Sequence, residues 1–98
     1  MMVEDFTEAV LALVEKVPAG RVVTYGLIAD HLGQGGARHV GRVMALDGAA
    51  VPWWRVVRAD GTLPPHLMVD AQQEWAREST PVRRGRVDVA AAVWHFDA

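Results

Sequence analysis

Two groups of residues carry types and spacings suited to chemistry: Arg38, His39 and Arg42, and the run Val51-Pro-Trp-Trp-Arg-Val-Val-Arg58. Arg38 and Arg42 are four apart, so on a helix they project from one side. A helix with such a basic outer face suits contact with a groove or with phosphates, and an ordinary solvated face remains equally open on this pattern. Trp53 and Trp54, if extended, point to opposite faces, so only one would line a given cavity while the other packs in the core. Nucleophilic and metal chemistry find little support. The chain has no cysteine, which excludes disulfides, thiolate metal sites and a cysteine nucleophile. Ser79 is the only serine and has no histidine–acid partner visible in the sequence. His31, His39, His66 and His95 lack metal-ligand spacing. Gly33 to Gly36 lacks the Lys-Ser/Thr of a phosphate-cradling loop. No metal and no cofactor are expected.

Short elements must position these residues. Asp5 with Glu8 resembles a capping box, and Phe6, Ala9, Val10, Leu13, Val14 and Val17 follow helical spacing until Pro18 and Gly20. Arg21–Thr24 reads as a short extended piece. Thr24 then caps a second helix striped by Tyr25, Ile28, Ala29 and Leu32 and stopped by Gly33. After a Gln34-Gly-Gly36 turn, a third helix turns Ala37, Val40, Gly41, Met44 and Ala45 inward and Arg38, His39 and Arg42 outward. Two short helices joined by a glycine turn are the pattern of a helix-turn-helix. Asp60-Gly61 between extended runs predicts a β-hairpin there. Leu67–Glu78 reads as a further helix, Arg83-Arg-Gly-Arg86 as a basic turn, and Val87–Phe96 as an apolar tail packed back on the domain. Trp75 and Trp94 read as core. The expected fold is mainly α with a short β-hairpin, a winged-helix-like helix-turn-helix domain.

Composition sets the frame. Ninety-eight residues suffice for one domain, expected to span 1–98. With 51% apolar and 22% charged residues the chain is globular rather than disordered. Its net charge of −2 does not advertise a nucleic-acid partner. The distribution says more, leaving a local basic footprint and chance clustering on a solvated face equally open: residues 1–37 carry five acids against Lys16 and Arg21, whereas residues 38–58 carry Arg38, Arg42, Arg55 and Arg58 against Asp47 alone. No apolar run approaches the ~20 residues needed to cross a membrane, and no signal peptide is visible. A cytoplasmic monomer is expected, associated with the nucleoid if the source is a bacterium.

Four blocks then become specific. Pro18-Ala-Gly-Arg-Val-Val-Thr-Tyr-Gly26, Ile28-Ala29, Ala37-Arg-His-Val-Gly41 and Pro52-Trp-Trp-Arg-Val-Val57 resemble, in order, the DNA-binding domain of the O6-alkylguanine-DNA alkyltransferases. The resemblance covers roughly residues 3–80. Where the enzymes read Pro-Cys-His-Arg, with the cysteine accepting the alkyl group, this chain has Trp53. That substitution marks the alkyltransferase-like proteins, which bind the lesion without repairing it. The resemblance implies a non-enzymatic sensor that flips O6-alkylguanine out of duplex DNA and hands it to nucleotide excision repair. It assigns Tyr25 to crowding the phosphate beside the target and Arg38 to filling the vacated stack from the minor groove. Gly41 would permit close backbone approach to DNA, with His39, Arg42 and Arg58 also on the DNA-binding surface. Trp53 would border the lesion pocket with Tyr25 and Trp54, and Arg55, also counted with the pocket, would support it and the hairpin. There are departures. Trp54 replaces the histidine after the acceptor, Asp47 stands for an asparagine that braces the turn, and the loop from Asp47 to Pro52 is shorter. Glu78 matches the glutamate of the enzymes' proton relay without its partners and reads as structural or vestigial. A winged-helix regulator without lesion specificity is the alternative.

Overall fold

An apolar face at helical spacing builds α1 (Asp5–Lys16), whose Val10 and Val14 are fully buried, with Val17 just beyond its end. The computed structural model describes residues 5–96, and Asp5 by its backbone alone. The capping box expected from the Asp5 side chain lies outside the described part.

After Gly20, the extended pair β1 (Val23–Thr24) leads directly into α2 (Tyr25–Leu32). The Thr24 hydroxyl accepts the Leu27 N–H at 3.1 Å, satisfying one of the donors left free at the helix start. Gly33, at φ 71°, ends the helix and donates back to the Ala29 and Asp30 carbonyls. The glycine turn then delivers the chain into α3 (Ala37–Asp47). α2 and α3 pack on each other and on α1 through Ile28, Ala29, Val40 and Val43, forming the predicted helix-turn-helix.

The inward stripe of α3 is rotated from the one predicted. Val40 and Val43 are buried, while Gly41 and Met44 are only partly covered and Ala45 is exposed. Small residues resemble core positions in sequence, but here they line an open hollow beside the core.

The β structure also differs from expectation. Trp53–Arg55 forms a 3₁₀ turn, so the two tryptophans are not on an extended strand. β2 (Val56–Val57) pairs parallel with β1, Val23 opposite Val56 and Thr24 opposite Val57. The Asp60-Gly61 turn does form: the Gly61 N–H reaches the Arg58 carbonyl at 2.8 Å and the Arg58 N–H reaches the Thr62 carbonyl at 2.9 Å. No antiparallel ladder grows from it, because the chain after Thr62-Leu63 runs into Pro64-Pro65 and the start of the next helix, while β2 pairs with the distant β1.

α4 (Pro65–Glu78) starts with a proline at its first position and buries Ala71 and Trp75. The antiparallel hairpin lies beyond it, joining β3 (Val82–Arg83) to β4 (Arg86–Val87) around the basic turn. Gly61, at φ 85°, packs beneath β4, where an added Cβ would sit 2.1 Å from the Val87 carbonyl oxygen. Only glycine fits there. α5 (Val89–Ala92) follows, and Trp94 donates to Val22 at 2.8 Å, so the tail packs back as expected.

The core has two clusters. One gathers α1, α2 and α3, and the other gathers Val22, Val57, Leu63, Ala71, Trp75, Val87 and Ala92. Tyr25 packs against both. Among the described residues no helix is long and apolar enough to cross a membrane, and no group of histidines and carboxylates is arranged to hold a metal.

Candidate nucleic-acid interface

The seam between the two clusters opens to solvent as two adjoining hollows that share Tyr25, Gly41 and Pro64. The shallower, of about 450 Å³, adds Ala37, Arg38 and Arg58. The deeper, of about 400 Å³, runs under the C-terminal half of α3. Its walls are Met44, Ala45, Trp53, Leu63 and Leu67, with His66 and Asp70 of α4 along it. A cavity that is mostly apolar, with few polar groups, suits a planar organic ligand of base size.

Tyr25 is placed by the strand-to-helix switch at Thr24, which leaves it at the first helical position with its ring between the clusters. Burial raises its pKa, and the nearby Arg58 charge offsets part of that rise. The phenol therefore stays protonated at neutral pH and keeps an O–H to donate to a phosphate.

Arg38 stands in the first turn of α3, behind the Gly36 cap, which supplies no side-chain hydrogen bond. A cation there opposes the helix dipole by a few tenths of a kcal/mol. Among the described residues neither Arg38 nor Arg42 has an acidic partner. Gly41 is equally unexplained by the fold: an added Cβ would meet nothing within 4 Å. A glycine inside a helix costs about 1 kcal/mol relative to alanine, and no neighbour requires it.

Trp53 contributes its ring to the deep hollow and packs edge-on against Trp54, the ring centroids 5.6 Å apart and the planes at 84°. Trp54, expected to border the pocket, lies behind it instead, and Arg55 stands there too, in the supporting position expected of it. Trp54 Nε1 donates to Glu78 Oε2 at 3.0 Å. Arg55 gives Nε to Glu78 Oε1 at 3.1 Å, Nη2 to Oε2 at 2.5 Å and Nη1 to the Val17 carbonyl at 2.9 Å. The Gly20 N–H adds a fourth donor to the Glu78 carboxylate at 3.0 Å. Burial raises the Glu78 pKa, but these hydrogen bonds and the Arg55 charge outweigh it, so the carboxyl sits below its usual range. The Glu78 side chain is 3% exposed and ties the ends of α1 and α4 to the turn that carries Trp53. The Trp54 carbonyl accepts Trp75 Nε1 at 2.7 Å, completing the brace.

The structure thus brings Tyr25, Arg38, Gly41, Arg58 and Trp53 onto one face. Arg42 is exposed on α3 one turn from Arg38, outside both linings. His39 points elsewhere, stacked on Phe6 of α1 with ring centroids 4.5 Å apart. Pro64, His66, Leu67 and Asp70 were not foreseen. The one signal for the last three is their spacing, since 66, 67 and 70 share a helix face.

The family model described as "6-O-methylguanine DNA methyltransferase, DNA binding domain" matches residues 5–80. A DNA base-flipping protein of Escherichia coli is 31% identical over 95% of this chain and 77% of its own length. One from Vibrio parahaemolyticus is 36% identical over 61% of this chain, a match that spans 63% of the relative. Schizosaccharomyces pombe Atl1, solved with damaged DNA containing O6-carboxymethylguanine, superposes with a TM-score of 0.82 at 25% identity, covering 96% of this chain and 98% of that one. A second S. pombe ATL structure, in complex with DNA, gives a TM-score of 0.80 at the same identity and coverage.

Proposed function

The chain belongs to the alkyltransferase-like members of the 6-O-methylguanine DNA methyltransferase DNA-binding family, and from that premise we propose that it is a non-enzymatic sensor of O6-alkylguanine in duplex DNA. It flips the damaged nucleotide into the deep hollow and hands the lesion to nucleotide excision repair. The observation that carries this reading is Trp53. It is a wall of an apolar, base-sized hollow in a chain without a single thiol, at the position where the resemblance would place the acceptor.

Each step of recognition in this reading has support in the geometry. Extruding a base costs a few kcal/mol of lost stacking and pairing, least where the base is damaged. Tyr25, at the lip shared by both hollows, presses its protonated phenol against the phosphate beside the target. Arg38, free of any internal acidic partner among the described residues, fills the gap in the stack. Trp53 and the apolar walls offset part of the extrusion cost, since contact with an aromatic ring is worth about 1–3 kcal/mol per base. Arg42 and Arg58 hold the phosphate backbone. No alkyl group is transferred, because Trp53 offers no nucleophile and Trp54 no base.

Paired titrations of one duplex with and without a central O6-methylguanine test the reading. Tighter binding to the lesion duplex, with the protein's intact mass unchanged after incubation, is expected. Equal affinity for both would return the chain to a general DNA-binding module, and a gain of one methyl would make it an enzyme.

A further inference from the structure

The hairpin outside the site carries three arginines under conditions that the fold itself does not favour. Arg83 and Arg86 are direct cross-strand partners. Side chains alternate faces along a strand, and Val87 is the buried one, so Arg83 and Arg86 both project outward on the same side. Like charges placed opposite each other destabilise a hairpin. Arg84 occupies the turn at φ 54°, followed by Gly85 at φ 82°. A turn with two successive positive φ values favours Asn-Gly or Gly-Gly, and an arginine there is strained. Observed backbone strain of this kind is a pointer to function.

The tip is nonetheless held firmly. Gln72 Nε2 of α4 donates to the Gly85 carbonyl at 2.7 Å, and the Val87 N–H reaches the Gly61 carbonyl at 3.1 Å. Asp60 offers the one ion pair, to Arg86 at 3.8 Å between exposed side chains, and among the described residues Arg83 and Arg84 have none. Beside them lies an open hollow of about 410 Å³ that also reaches Asp60, Asp88 and Val89. Asp60 also feels the charge of Arg58, which lines the shallow hollow with Tyr25 and Arg38. The hairpin thus neighbours the edge of the shallow hollow across Asp60, whose carboxylate stands between Arg86 and Arg58.

We propose that the Arg83–Arg86 hairpin is a second phosphate-binding site, which grips the DNA backbone flanking the position where the base is flipped. The proposal rests on the reading of the chain as a duplex-DNA binder, but not on its lesion specificity. Phosphodiesters are the anions that three outward, closely spaced guanidiniums fit best, and a rigid tip gives up little freedom on binding them. Such an interaction is blind to sequence and to damage.

The test is the salt dependence of binding to a duplex of about 20 base pairs, with and without a central O6-methylguanine. Arg84→Asn and the triple variant Arg83→Gln/Arg84→Asn/Arg86→Gln are compared with the unaltered protein. Asparagine tolerates a positive φ, so the melting temperature of Arg84→Asn should hold or rise, and misfolding cannot mimic the result. The slope of log affinity against log salt should become shallower by about 0.9 for each phosphate that is no longer neutralised, hence by roughly 2–3 for the triple variant. The fall in affinity should be proportionally equal on both duplexes. An unchanged slope in the triple variant, or a fall confined to the lesion duplex, would overturn the proposal. Failure of the lesion reading is separate: it would show as the unaltered protein binding both duplexes equally.

Discussion

Trp53 and its surroundings differ from the Glu78 network immediately behind them in one consistent way. Behind the wall every polar group has its partner: the Glu78 carboxylate accepts four hydrogen bonds, and the Arg55 guanidinium is shared between that carboxylate and the Val17 carbonyl. On the front face the groups are left unsatisfied. Arg38 and Arg42 lack acidic partners among the described residues, Gly41 answers to no neighbour, and Tyr25 keeps a proton to give. A fold holds itself together with the first kind of group and meets a ligand with the second. Changes behind the wall should therefore cost stability, and changes in front should cost affinity alone.

The largest effect falls behind the wall. Glu78→Ala leaves the Arg55 guanidinium, 17% exposed, without its carboxylate. Breaking such a largely buried pair costs about 3–5 kcal/mol, to be read from urea unfolding. The pH dependence has a definite sign. The folded carboxyl titrates below its ordinary value of 4.5, so its contribution is complete above that value and is lost as pH falls through the lower folded pKa. A stability profile from pH 7 down to about 2 should fall on that limb, and Glu78→Gln should flatten it. A Glu78 variant that keeps full stability but loses DNA binding would break the division between the two regions.

In front, Arg38→Ala should reduce affinity for lesion DNA by about 2 kcal/mol, roughly thirtyfold, and reduce affinity for undamaged DNA much less. Arg42→Ala should weaken both duplexes in equal proportion, since a phosphate contact acts on all sequences. Neither should move unfolding by more than about 0.5 kcal/mol. Equal losses for Arg38→Ala on both duplexes would leave that side chain as one more backbone contact.

The deep hollow offers a sharper measure of the front face. Asp70 is its one acidic residue, and no arginine or lysine lines it. An O6-carboxymethyl group would bring a second negative charge toward that carboxylate, at a cost of about 1 kcal/mol if they approach to ~4 Å in water. The chain should bind O6-methylguanine about fivefold more tightly than O6-carboxymethylguanine, and Asp70→Asn should narrow the gap. A gap unaffected by Asp70→Asn would place the alkyl group elsewhere.

What can be read from the sequence follows the range of the forces involved. α2 is legible because its signals, the Thr24 cap and the Gly33 stop, lie at the helix's own two ends. The four blocks around Tyr25, Arg38 and Trp53 identify the front face. The hairpin is misplaced by its turn signal because the partner of Val56–Val57 is chosen by packing from over thirty residues away, which no local turn reports. Trp54 falls behind the pocket rather than beside it because proximity in sequence does not reveal which way a 3₁₀ turn aims each side chain. His66 and Asp70 reach the hollow only through the docking of α4, which is invisible before the two core clusters are assembled.

Gly41 separates the two regions with the smallest change. It lies within α3, where an added methyl would meet nothing within 4 Å, and it lines both hollows. Alanine in a helix interior is favoured over glycine by about 0.5–1 kcal/mol, largely because glycine loses more backbone freedom on folding. Gly41→Ala should therefore raise unfolding stability by that amount. The same methyl stands at the lip where the phosphate backbone must approach Tyr25 and Arg38, so affinity for DNA should fall severalfold on lesion and undamaged duplexes together. Thermal unfolding and paired titrations on one protein preparation give both readings. A variant that is more stable and binds as before would show that DNA does not approach α3 at this residue, and that the front face is smaller than the two hollows suggest.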